Sequence, residues 1–393
     1  MFRKLRKLNW FIIIFISQLC LLTACEKTIP SEKISDTFEI RDTLQIPVIG
    51  NNEYVRIDET GSFLLIRRKD AGITLYDLKS NSIVWEKENE ELAYLGDPTK
   101  ILDIVEDNVI TIGYQSLSVY SLSECQLKFT KKLPKSSGFR FKNYPIFKTT
   151  INDQPYILTT YNIGQNGWGQ IKNLLEMEKE DYASIRHFSI LSFNSEETIG
   201  HVIGRYEPQA NIISDDPKLP LDDEFYIVVG DVLYHANTPE PKIWATTITL
   251  DDPKADTYYE IALDYPESRY FIPNSEKNNI HDIGSRLNQN MSLMGIFFDP
   301  TSKRFYIPYL RALFEWEQEI VDNPETTQSQ VDLGFQRIRV AVFTQEFEKI
   351  AEVALPANIH TLFGVVNDEL YLKGYDEGEN YDIIYKAIIK TDE

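Results

Sequence analysis

Five histidines, His187, His201, His235, His281 and His360, are scattered along the chain, with no HExxH pair and no companion cysteines. A zinc site gathers three or four ligands at tetrahedral distance, so local spacing assigns no metal, though distant ligands could converge on a common axis. Carboxylates crowd at Asp215-Asp216-Pro217, Asp222-Asp223-Glu224 and Asp251-Asp252-Pro253. They lack the interleaving and the sixth-position glycine of an EF-hand loop, and acids before proline form turns. There is no GxSxG elbow and no glycine-rich phosphate loop. Ser136-Ser137-Gly138 has no neighbour that would activate a hydroxyl. No catalytic residue and no cofactor is assigned. The residues suited to ligand contact are Trp168, set between Gly167 and Gly169, and the polar group His281, Asp282 and Arg286. An exposed tryptophan can stack on a sugar or anchor a peptide; otherwise Trp168 packs over a strand edge.

One cysteine carries a different chemistry. Arg3, Lys4, Arg6 and Lys7 precede an uncharged apolar run from Trp10 to Leu22. A spanning helix needs about 20 such residues and a signal-peptide core only about 7–15. Residues 1–24 therefore read as a cleaved signal. Leu22-Thr23-Ala24-Cys25 resembles a bacterial lipobox, which implies that the Cys25 thiol is alkylated with diacylglycerol and becomes the first residue after cleavage. Two or more acyl chains hold a protein stably on a membrane where one does not. Residues 25–35 then form a lipidated, polar tether. Glu26 is not the aspartate associated with inner-membrane retention, so the implied location is the outer membrane, on its periplasmic or its surface face.

The formal charge is −20, and the four bases lost with residues 1–24 make the remainder more acidic still. Such a body does not attract nucleic acid or an anionic lipid surface. With Cys20 removed and Cys25 lipidated, Cys125 has no partner for an intramolecular disulfide, and it is expected as a small buried apolar residue.

From residue 36 on, short apolar runs alternate with turn residues. Tyr54–Ile57, Ser62–Arg68, Ile73–Leu78 and Ser82–Trp85 form a four-strand meander with tight turns. The third strand recurs at Leu117–Leu122, Arg186–Leu191, Lys242–Ile248 and Ile338–Phe343, each with a fourth apolar run after it. Loose repetition of a meander predicts an all-β propeller of about six four-stranded blades, seven being possible. The last unit, Leu362 to Tyr385, lacks a fourth strand, and the run Thr37–Ile46 has no unit of its own. Pairing the two would close the ring and protect its edge. The alternative is a pair of β-sandwiches joined near 208–223. Insertions near 163–181, 273–291 and 316–335 interrupt the pattern and hold the candidate contact residues. Trp85, Trp244 and Trp316 lie in or beside strands and are expected to be structural.

Lipobox, single remaining cysteine and strand pattern together resemble the uncharacterised Bacteroidetes lipoproteins of unknown function with TolB-like, six-bladed propeller folds. The resemblance implies a cell-envelope location and transfers no residue beyond Cys25. The expected function is a membrane-anchored, monomeric binding module for a peptide, a glycan or an envelope protein. An envelope hydrolase or lyase with a site at the propeller axis, and a scaffold for an outer-membrane complex, are the alternatives.

Overall fold

Two-residue turns with Asn or Asp in the left-handed region knit the chain into hairpins. Asn152 and Asp153 (φ 50° and 61°) and Asn367 and Asp368 (φ 53° and 61°) are examples. Such turns match the twist of antiparallel strands. The computed structural model describes residues 37–47, 52–68, 72–88, 90–92, 99, 101–133, 146–159, 189–192, 224–237, 241–248, 257–264, 291–314, 317, 337–374 and 381–390. The regular elements among them are strands, arranged in six antiparallel sheets.

β1 (Thr37–Pro47) precedes the first sheet, β2 (Asn52–Ile57), β3 (Phe63–Arg68), β4 (Gly72–Asp77) and β5 (Ser82–Glu88). The second sheet is β6 (Ile101–Val105), β7 (Asn108–Ile112), β8 (Ser116–Ser121) and β9 (Leu127–Lys132). The third holds β10 (Phe147–Ile151), β11 (Gln154–Thr159) and β12 (Ser189–Ser192). The fourth is β13 (Glu224–Val229), β14 (Val232–Asn237), β15 (Lys242–Thr247) and β16 (Thr257–Glu260). In the fifth, β17 (Ser292–Leu293) and β18 (Phe297–Asp299) share one lane beside β19 (Arg304–Leu310), followed by β20 (Ile338–Phe343) and β21 (Lys349–Ala354). The sixth runs β22 (Ile359–Val366), β23 (Glu369–Gly374) and β24 (Tyr381–Lys390), with β1 paired antiparallel on β24 from Thr37↔Lys390 to Pro47↔Tyr381.

Apart from β1, which joins the last strand of the sixth sheet, strand order within each sheet follows chain order, as a meander requires. The sheets meet face to face through apolar layers. Leu65, Ile73 and Leu75 of the first pack with Leu102, Ile104 and Val109 of the second. Ile110 and Val119 meet Ile157 of the third, and Tyr156 and Leu158 meet Tyr226 and Leu233 of the fourth. Tyr234 and Ile243 meet Phe305 and Phe343 of the fifth; Val340 and Val342 meet Leu370 and Leu372 of the sixth. Ile46, Phe363 and Tyr371 return to Ile57, Leu64 and Tyr76 of the first. The first strands also touch, β2 against β6 and β22, β13 against β10 and β18, and β18 against β22. This architecture is an all-β propeller.

Gly364 on β22 allows the close approach to β2: a Cβ there would stand 3.3 Å from Ile57 Cδ1. Gly61 combines φ +66° with the Tyr371 hydroxyl 2.7 Å from where its Cβ would lie, so only glycine suits that turn.

Candidate functional site

In a meander, the turns from first to second and from third to fourth strand lie at one end of each sheet. The connections from second to third strand, and onward to the next sheet, lie at the other. All first-to-second turns are short: 58–62, 106–107, 152–153, 230–231, 300–303 and 367–368. The stretches 160–188 and 315–336 join second to third strands, apart from the described Glu317, and 265–290 joins the fourth sheet to the fifth. Their attachment points, Thr159 and Ser189, Asp264 and Met291, and Phe314 and Arg337, therefore belong to connections leaving the same end. Trp168, His281, Asp282 and Arg286 fall within these stretches and lie outside the described residues, as does Cys25.

Two of the three connections are held at their attachment points by buried charge. The Arg311 guanidinium, directly after β19, donates to both oxygens of Glu317 at 2.7 and 2.5 Å and lies 4.2 Å from the Phe314 ring centroid. Glu317 also accepts the Phe314 amide at 2.7 Å. From the other side of the connection, Arg337 donates to the Arg311 carbonyl at 3.1 Å. The sequence places Glu317 in an acidic insertion; it is in fact 1% exposed. Met291, at the other insertion's edge, is fully buried in the apolar layer between fourth and fifth sheets.

Glu352 on β21 anchors Asp264. Its Oε1 accepts the Tyr309 hydroxyl at 2.5 Å and Arg339 Nε at 2.9 Å. Its Oε2 accepts Lys349 Nζ at 2.9 Å and the Asp264 amide at 3.0 Å. Lys349 also pairs with the Asp264 carboxylate. Burial tends to lower the Lys349 pKa, but its bonds to Asp264 and Glu352 outweigh it and the net shift is upward. The Tyr309 hydroxyl, buried beside Glu352, is pushed up and stays protonated.

At the short-turn end, Asp299 spans two sheets. It accepts Thr301 N, Ser302 N and the Ser302 hydroxyl from its own turn, and the amides of Asn367 and Asp368 at 3.2 and 3.0 Å from the sixth sheet. Burial would raise its pKa, but these donors hold it below the ordinary carboxylate value. Asp58 folds its own turn likewise, accepting Ser62 N and Phe63 N at 2.7 and 2.6 Å. On the inner strands, Arg56 of β2 forms two 2.9 Å bonds to Asp103 of β6, whose Oδ2 also accepts Ile146 N at 2.7 Å.

Trp85 and Trp244 sit on β5 and β15. The Trp85 indole N–H donates to the Leu122 carbonyl at 2.7 Å, and Trp244 lies in a cross-strand row of rings with His235 and Tyr258. His235 is buried in its sheet and His360 is exposed on β22. Cys125 is a buried free thiol that burial pushes up to about 11. Asp103, Glu317 and Glu352 were not singled out by sequence. Asp103 and Glu352 did carry a signal, a lone acid inside an apolar strand run, Ile101–Val105 and Lys349–Ala354. Among the described residues no helix is long and apolar enough to cross a membrane.

No family model matches the sequence, and none of the curated proteins matches it. A member of the duf4221 family from Bacteroides vulgatus has a similar structure, with a TM-score of 0.62 and 16% identity over 91% of this chain and 99% of that one. The shared fold is the propeller. The β-propeller domain of Myceliophteria thermophila Cps50 (Swd1) gives a TM-score of 0.41 at 11% identity, over 89% of this chain and 99% of that one. BamB from Moraxella catarrhalis gives 0.38 at 10%, over 89% and 100%. At these identities the likeness is one of fold, and the first agrees with the Bacteroidetes propeller resemblance read from the sequence.

Proposed function

We propose that this chain is a lipid-anchored, monomeric envelope protein whose propeller binds a peptide, a glycan or another envelope protein across one end of its ring. The observation that carries the reading is the common end of the connections 160–188, 265–290 and 315–336, against first-to-second turns of no more than five residues at the other. Loops on a rigid scaffold are where contact residues concentrate. Trp168 then supplies an aromatic surface, and His281, Asp282 and Arg286 supply polar contacts. The fold does not choose among the three ligand classes.

In this reading each of the six sheets is one blade, and β1 is the clasp that completes the last blade and closes the ring. The register of β1 on β24 and the apolar layer from Ile46, Phe363 and Tyr371 to Ile57 and Leu64 support it. Anchoring through Cys25 places the protein on the outer membrane.

Thermal melts of the detergent-purified protein, against short peptides and envelope oligosaccharides, test the binding reading. A ligand at 100 times its Kd adds about 2.7 kcal/mol of stability. One class of hit, lost in Trp168→Ala or Arg286→Ala with the unliganded melt unchanged, is the expected result. A hit that survives all four substitutions, Trp168, His281, Asp282 and Arg286 to Ala, would place the ligand elsewhere. Labelling cells with an alkyne fatty acid tests the anchor: label is expected on the wild type and absent from Cys25→Ala.

A further inference from the structure

We propose that Asp103, Asp299 and Glu352 are clamps of one kind: each is a buried side-chain carboxylate that captures a main-chain N–H of a neighbouring sheet and so fixes how the two sheets sit against each other. Asp103 on β6 takes Ile146 N, at the entry to the third sheet, while both its oxygens accept from Arg56 of the first. Asp299 at the end of β18 takes the amides of Asn367 and Asp368 in the β22–β23 turn of the sixth. Glu352 on β21 takes Asp264 N at the exit of the fourth. All three acids are at least nine-tenths buried.

The physical argument rests on what apolar layers cannot do. Burial of leucine and valine faces is non-directional, so two sheets packed by such layers can slide and splay at small cost. A carboxylate fixed on one sheet and bonded to a main-chain N–H of the next has one acceptable geometry, with charge-assisted bonds about twice as strong as neutral ones. A buried ion is not an economical source of net stability, because its desolvation offsets much of the attraction. Its use at three different junctions is better explained by geometry. The donors around each acid agree with this. Asp103 has Arg56, Glu352 has Tyr309, Arg339 and Lys349, and Asp299 has the turn from Thr301 to Ser302, so each oxygen is held before it meets the neighbouring amide.

The clamps are positioning residues. On the reading that the sheets form one ring, they hold the ring's ends in a constant shape, and Glu352 and Asp103 do so beside connections to the proposed ligand face. The inference rests on that ring reading but not on any ligand.

Amide hydrogen exchange on the full-length protein in detergent tests it, in Asp103→Asn, Asp299→Asn and Glu352→Gln. Each variant is expected to speed exchange at least tenfold at its own amide: Ile146, then Asn367 and Asp368, then Asp264. The other two sets serve as internal controls and should keep their wild-type rates. If a carboxylate variant does not fold, Arg56→Lys, Ser302→Ala and Lys349→Met loosen the same acids and should give smaller effects at the same amides. Uniform acceleration across all sheets would reduce the three acids to general stabilisers and overturn the proposal, as would unchanged rates at the clamped amides. Because no ligand enters, a failed ligand screen leaves this result standing, and unchanged exchange leaves the ligand face untouched.

Discussion

Asp299 is a buried carboxylate whose charge ties stability to pH. Its folded pKa lies below the ordinary value of 3.8 because five donors favour the charged form over the cost of burial. A depressed carboxylate contributes stability above its unfolded pKa and loses it as pH falls through the folded value. The melting temperature of the wild type should therefore drop more steeply below about pH 4 than that of Asp299→Asn. Equal slopes would remove Asp299 from the acid sensitivity. Cys125 gives an independent check. A thiol raised to about 11 by burial holds little thiolate at neutral pH. Alkylation of Cys125 by iodoacetamide at pH 8 should be slow in the native protein and should reach the rate of a free thiol only in denaturant. Fast native labelling would contradict its burial.

At the scale of elements, strands and their turns were legible because two signals coincide there. β-branched and aromatic runs alternate with Asn, Asp and Gly pairs, as at Ile151-Asn152-Asp153 and Val366-Asn367-Asp368. The split lane of β17 and β18 was not legible. Its residues, Ser292 to Asp299, include Gly295 where the pairing with β19 breaks, and short interrupted strands lack a period to read. Glu317 was not legible for a related reason. Composition marks it only as part of an acidic insertion, and the three-dimensional return to Arg311 makes it a buried partner. Removing one member of such a pair leaves an uncompensated buried charge. Glu317→Gln should lower stability by about 3 kcal/mol in denaturant titrations, whereas Glu124→Gln, exposed in the turn before Cys125, should be neutral. Equal, small effects from both would mean that the Arg311–Glu317 knot is not formed in solution.

For the whole molecule, the sequence carried the architecture further than the site. A repeated meander predicts a propeller from local patterns alone, and the orphan run Thr37–Ile46 anticipates the partner that β24 has. The proposed contact residues rest on a weaker rule, that insertions hold ligands, and Trp168, His281, Asp282 and Arg286 lie outside the described residues. Alternation of strand direction gives all three insertions attachment points at one end. The acidic turns at the other end, such as Glu106-Asp107, Asp153 and Asp231, offer a matched control.

The most direct test is site-specific photo-cross-linking in cells, with a benzophenone amino acid placed at Trp168 or Asp282 and, separately, at Asp153 or Asp231. Covalent adducts are expected from the first pair and not from the second. Adducts formed only from Asp153 or Asp231 would put the partner on the short-turn end and contradict the proposed binding face.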